Sequence, residues 1–216
     1  EALHAKTVVL SAGAILSPAI LMRSGLGDKQ QLESFGIDVV QNIPAIGQNL
    51  CDHPAISIVA DVKDGAIIDF DSPIIQTILR YTAAGSDKRN DLQIEQLSFV
   101  GTRKQTPRFG IAAVLEYQYG RGELQLRSAN PNDAPLVNNR FCEDERDLSR
   151  LLCGLKDSIA FTKKGPLADM ISGITFPDPA RSKSDEDLRN LIRRFAGSGY
   201  HPCGTVKMGN DANSVV

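Results

Sequence analysis

The chain has 216 residues, 42% hydrophobic and 23% charged, the composition of an ordinary soluble globular protein, and it could fill one large domain or two small ones. A formal net charge of −2 gives no electrostatic basis for binding nucleic acid or an anionic membrane, and no apolar run approaches the ~20 residues that span a bilayer. The chain begins at Glu1 rather than Met and breaks off at "NDANSVV", which reads as a piece of a longer protein whose targeting signals are not legible here.

The first element is "KTVVLSAG", residues 6–13, a continuous apolar run followed by small residues, the pattern of a buried parallel strand. Ser17 and Pro18 then predict a helix start, serine at the N-cap and proline at the first helical position, where its missing N–H costs nothing. That helix carries Ile20, Leu21 and Ser24 and should stop at Gly25 or Gly27; a shorter helix with Leu32 and Phe35 follows and ends at Gly36. The order strand–turn–helix is that of a nucleotide-binding α/β unit, although no GxGxxG phosphate loop is present. From Pro54 the period changes to two. "AISIVADV" puts Ile56, Ile58, Ala60 and Val62 on one face, and "GIAAVLEYQY" does the same with Ile111, Ala113, Leu115 and Tyr117. "GELQLRS" adds Leu124 and Leu126 after a Gly120-Arg121-Gly122 turn and should form a hairpin with the strand before it.

Helical spacing marks three further segments. One starts at Pro73 with Ser72 as cap and bears Ile74, Ile75, Ile78 and Leu79. A second, about 143–163, bears Leu148, Leu151, Leu152, Leu155 and Ile159. A third opens at Ser184 with Asp187 three residues on, close to a capping box, and carries Leu188, Leu191, Ile192 and Phe195. "SANPNDAP", residues 128–135, is a turn-rich loop. The predicted class is α+β: an antiparallel sheet flanked by helices, preceded by a short α/β remnant. Cys51, Cys142, Cys153 and Cys203 are scattered without a CxxC and read as reduced thiols, which favours the cytoplasm.

Three stretches stand apart from packing. In "GAILSPAILMRSGLG", residues 13–27, small residues let the backbone approach something before a helix N-terminus, which suits a phosphate or a polar cofactor edge or else a structural turn. "IGQNLCDH", residues 46–53, gathers Asn49, Asp52 and His53 in one loop, either as a site or as an Asx-rich turn. "GSGYHPCGTVKMG", residues 197–209, sets His201 among glycines, so its imidazole is either a base that takes a proton near pH 7 or a hydrogen-bonded loop residue. Zinc is a poor fit, because Cys51-x-His53 and His201-x-Cys203 lack the spacing of chelating pairs.

Taken in order, these stretches and "GELQLRSANPNDAPLVNNRF" resemble the glucose–methanol–choline (GMC) family of flavin oxidoreductases. "IPAIGQNLCDH" is similar to the family's "LPGVGxNLxDH", with Ala45 for glycine, and "HPCGTVKMG" to "HPxGTCxMG", with Val206 for cysteine. The resemblance implies that residues 1–53 belong to an FAD-binding domain, 54–195 to a substrate-binding domain, and 196–216 to a segment returning to the FAD domain. It implies FAD contacts at Gly13, Ala14, Ser17, Asn49, Asp52, His53, Gly204 and Thr205. His201 would be the active-site base that takes the hydroxyl proton of a small-molecule alcohol as hydride leaves for the flavin. A second active-site His or Asn would lie beyond Val216, and the missing FAD-domain portion of the parent would be the chain's partner. Alone, the chain is expected neither to hold FAD tightly nor to turn over. A hydroxynitrile lyase of the same fold is the nearest alternative, and a non-catalytic binding domain a second.

Overall fold

The strongest alternation in the sequence builds the centre of the largest sheet. The computed structural model describes residues 3–66, 68–102, 106, 108–211 and 214–215. In chain order its elements are α1 (Gly13–Arg23), β1 (Leu26–Gly27), α2 (Lys29–Ser34), β2 (Gln41–Asn42), β3 (Pro54–Val62), β4 (Ile75–Tyr81), β5 (Leu92–Val100), β6 (Arg108–Leu115), β7 (Glu123–Gln125), β8 (Leu136–Asn138), α3 (Glu145–Phe161), α4 (Gly165–Met170), β9 (Ile171–Phe176), α5 (Asp185–Phe195) and β10 (Gly197–Ser198). They group into two compact units. One comprises residues 1–52, 121–140 and 201–216, and the other residues 53–120 and 141–200. The excursion 121–140 therefore leaves the continuous stretch 54–195 expected from sequence and joins the unit that holds both chain ends.

The second unit is a six-stranded antiparallel sheet in the order β10-β3-β6-β5-β4, with β9 also on the outer edge of β3. Ile58 stands opposite Ile111 and Ile56 opposite Ala113, so the two predicted apolar faces coincide. With Leu92, Ile94 and Leu115 they are buried beneath α3, whose Leu148, Leu151, Leu152 and Leu155 complete the core. The helix approaches the sheet at Gly154, where a Cβ would stand 3.0 Å from that of Ala113. The capping box at α5 forms as the sequence indicates: Ser184 accepts from the N–H of Asp187, and Asp187 accepts from that of Ser184.

Four expectations differ from the structure. The segment from Pro73 is a strand, β4, not a helix. Its β-branched composition favours a pleated surface, and a register shift sets Ile75 opposite Leu97 and Ile78 opposite Glu95, so that three residues of β4 span two of β5. That bulge brings Ile75 and Ile78 to one side of the sheet and produces a helix-like spacing in a strand. Second, β7 does not pair with β6. Both edges of β6 are taken, by β3 and β5, and β7 instead pairs with β8 across the turn-rich loop 128–135. Third, residues 6–10 form no strand: Val8 and Val9 are each 82% exposed, and no described segment pairs with them, so the backbone lacks the ladder that would make this run a parallel strand. Fourth, α1 begins at Gly13, and Pro18 lies inside it rather than at its first position. It ends just before Gly25, and α2 just before Gly36, both as expected.

The first unit has its own small core, in which Ala19 and Met22 of α1 pack with Leu32, Ile46, Leu124 and Leu126. Its two ladders are the parallel pair β1–β2 and the antiparallel pair β7–β8. No helix among the described residues is long and apolar enough to cross a membrane.

Candidate active site

Within the first unit the separated motifs meet through main-chain ladders and a few directed side chains. An isolated antiparallel bridge joins Cys51 to Cys203, each donating its N–H to the other's carbonyl, at 2.9 and 2.8 Å. A second bridge joins Leu50 to Gly122, at 2.9 and 2.8 Å, and Gly47 donates to the carbonyl of Thr205 at 2.9 Å. The loop 46–52 is thus held between the return segment on one side and the start of β7 on the other.

Three side chains then tie the parts together. The carboxylate of Asp52, 2% exposed, accepts the main-chain N–H of His201 at 2.9 Å. Asn49, at φ +62°, donates its side-chain amide to the carbonyl of Gly204 at 3.2 Å. Thr205, 1% exposed, donates its hydroxyl to the carbonyl of Ala14 at 2.5 Å. The last bond has a cause in the sequence. In a regular helix the carbonyl of Ala14 would accept from the N–H of residue 18, but residue 18 is proline and has none. The hydroxyl of Thr205 fills the vacancy. Gly204 is needed for a related reason: its φ is +90°, and a Cβ there would lie 2.4 Å from the carbonyl oxygen of Asn49.

The sequence-predicted site residues therefore fall into four groups. Asn49, Asp52, Gly204 and Thr205 connect the loop 46–52, the return segment and α1. Gly13, Ala14 and Ser17 lie at the start of α1, where Ser17 accepts the N–H of Ala12 at 3.0 Å instead of capping from the N-terminal side. His201 is exposed, with its main chain anchored by Asp52. His53 falls at the start of the second unit, where its Nδ1 lies 3.8 Å from one carboxylate oxygen of Glu116, whose other oxygen accepts from Arg80 at 2.8 Å. Glu116 was not legible as a partner of His53, nor Arg80 as a partner of Glu116, since the three lie on different strands or strand ends with no spacing signal. The pairing of Cys51 with Cys203 was equally hidden, because 152 positions separate them in the numbering and only the ladder joins them.

The start of α1 suits a cofactor by residue type. Residues 11–13 are small and exposed, no atom beyond its chain neighbours and its own helix backbone lies within 4 Å of where a Cβ of Gly13 would be, and no side chain caps the helix from Ala12. The first N–H groups of a helix have no partner within it and favour anionic or polar ligand edges. Among the described residues no group of three or more His, Cys, Asp or Glu side chains is arranged to hold a metal ion.

One model described as GMC oxidoreductase (N-terminal part) matches residues 1–55, and another (C-terminal part) matches residues 118–216; together they cover more than half of the chain. An oxygen-dependent choline dehydrogenase of Klebsiella pneumoniae is 29% identical over 243 aligned positions, covering 98% of this chain and 43% of that protein. Among solved structures, a pyridoxine 4-oxidase from Mesorbium loti superposes with a TM-score of 0.79 at 21% identity, over 95% of this chain and 42% of that one. A formate oxidase of Aspergillus oryzae RIB40, studied for its FAD modification, gives 0.79 at 19% identity over 93% and 44%. The chain spans less than half the length of these proteins.

Proposed function

The chain belongs to the GMC oxidoreductase family, and from that premise we propose that the longer protein oxidises an alcohol, with His201 as the base and FAD as the redox cofactor. The observation that carries the proposal is the mounting of His201. The buried Asp52 carboxylate holds its main-chain N–H while the residue itself stays exposed. An anchored backbone limits the imidazole to its side-chain torsions, which confines it to a small region where a substrate hydroxyl can be met.

FAD supplies the hydride acceptor for such a reaction. We assign its retention to Gly13, Ala14 and Ser17 at the start of α1 and to His53, with Asn49, Asp52, Gly204 and Thr205 acting by holding their loops together. In the step itself an imidazole nitrogen of His201 takes the proton of the substrate hydroxyl as the carbon–hydrogen bond breaks. The ring thereby relieves the negative charge that would otherwise build on that oxygen. The proton then passes to water. The exposed apolar run around Val8 and Val9 supports the reading that a further portion of the FAD-binding domain covers this segment in the longer protein.

The test is His201→Ala in the longer, flavin-loaded protein. Turnover of an oxidisable alcohol should fall by ~100-fold or more, while the flavin absorbance is retained. Turnover within a few-fold of the parent would overturn the assignment. Cleavage of a cyanohydrin without alcohol oxidation would point to a hydroxynitrile lyase instead.

A further inference from the structure

We propose that Cys51 and Cys203 form a reversible disulfide that locks the segment bearing Asp52 to the segment bearing His201. The two are the cysteines of the first unit, and the bridge sets them directly opposite one another. Both are thiols in this structure, Cys203 exposed and Cys51 half-buried. Residues that exchange both main-chain hydrogen bonds, as these do, have Cα atoms about 5.5 Å apart. That separation lies within the ~4.4–6.8 Å range of disulfides. Directly opposed residues also project to the same face of a ladder.

The same register makes the bond reducible. Opposed Cβ atoms stand roughly 4.5–5.5 Å apart, whereas a relaxed disulfide brings them to about 3.8 Å. Closure must therefore draw the pair together by about 1 Å, and a strained disulfide has a more oxidising potential than a structural one. The bridge is an isolated pair rather than part of a long sheet. Asp52 follows Cys51 directly, and His201 lies two residues before Cys203. The cross-link would consequently clamp the contact between the Asp52 carboxylate and the His201 N–H.

The oxidant is a small disulfide such as oxidised glutathione. The thiolate of the exposed Cys203 attacks one of its sulfurs, forming a mixed disulfide and releasing one glutathione thiol. The thiolate of Cys51 then attacks the Cys203 sulfur, forming the protein disulfide and releasing the second. Two protein thiols are oxidised, and one disulfide is reduced to two thiols.

The experiment incubates the folded chain with oxidised glutathione, quenches with acid, denatures, and alkylates for mass spectrometry. The four cysteines should yield two alkylated and two protected residues, a peptide linking 51 to 203 should appear, and dithiothreitol should restore four. Cys142, buried and with its thiol pushed up to about 12 by that burial, serves as an internal control that stays alkylatable only after denaturation. Cys51→Ser should stop the reaction at a glutathione adduct on Cys203. Four alkylated cysteines, an adduct on Cys203 without the linked peptide in the parent chain, a disulfide-linked dimer, or a linked peptide seen only in urea would each overturn the proposal.

Discussion

The bond from Thr205 to the carbonyl of Ala14 exists because Pro18 cannot make it, and this gives a sharp test. Replacing Thr205 by Val keeps nearly the same shape but removes the hydroxyl from a site only 1% exposed. The carbonyl of Ala14 is then left without its donor, and an unsatisfied acceptor of this kind costs about 1–3 kcal/mol. For a chain of this length each kcal/mol lowers the melting midpoint by roughly 2–4 °C, so Thr205→Val should melt about 2–12 °C lower, followed by circular dichroism. The causal claim is tested by a second substitution. Pro18→Ala restores an N–H at position 18, which the carbonyl of Ala14 can accept within the helix. In that background Thr205→Val should cost less, by about 1 kcal/mol, so the two changes couple in a double-mutant cycle. Additive effects, or a Thr205→Val protein as stable as the parent, would refute the reasoning.

Gly204→Ala should destabilise the first unit by about 2 kcal/mol or more, since its φ of +90° is strained for alanine and the new Cβ meets a main-chain oxygen at 2.4 Å. Gly197→Ala, where nothing lies within 4 Å, should stay within about 0.5 kcal/mol; equal effects in thermal melts would contradict this. In the second unit Arg150 bonds Asp91 at 2.9 Å and Asp147 at 2.6 Å, and all three are buried. Arg150→Met strands those carboxylates and should lower stability by about 3–5 kcal/mol at pH 7. Burial pushes the Asp91 carboxyl up, but hydrogen bonds from Ser86 and Arg150 outweigh it and hold the group below the usual carboxylate range. The parent thus keeps this contribution above the ordinary carboxylate pKa and loses it as pH falls through the depressed value. Asp91 in the variant, buried without its cation, takes up a proton at higher pH. The stability gap should therefore narrow on acidification; urea titrations showing a constant or widening gap would count against it.

Much of the second unit was readable from periodicity. The period of two in residues 54–62 and 108–115 marks strands whose apolar faces coincide in the ladder, and the spacing of Leu148, Leu151, Leu152 and Leu155 marks the helix that covers them. Where a bulge altered the period, as between Ile75 and Ile78, the same kind of reading returned a helix for a strand. Local periodicity carries no information about partners, which is why β7 was matched to the preceding strand although both edges of that strand were occupied. The motifs announced themselves in sequence as short unusual strings, but their internal logic did not. Pro18, Gly204 and Asn49 look like turn residues until the fold shows one removing a donor that Thr205 replaces, one leaving room for a carbonyl, and one bonding across the gap.

By itself, then, the amino-acid order determined the helix and strand tendencies, the apolar faces and the chemical character of the loops around residues 13, 49 and 201, because these depend on neighbours within a few residues. The tertiary structure alone decided that Asp52 lies against the main chain of His201 and that Cys51 faces Cys203. Those contacts join points some 150 residues apart, and only the antiparallel bridge between the two segments brings them within hydrogen-bonding reach.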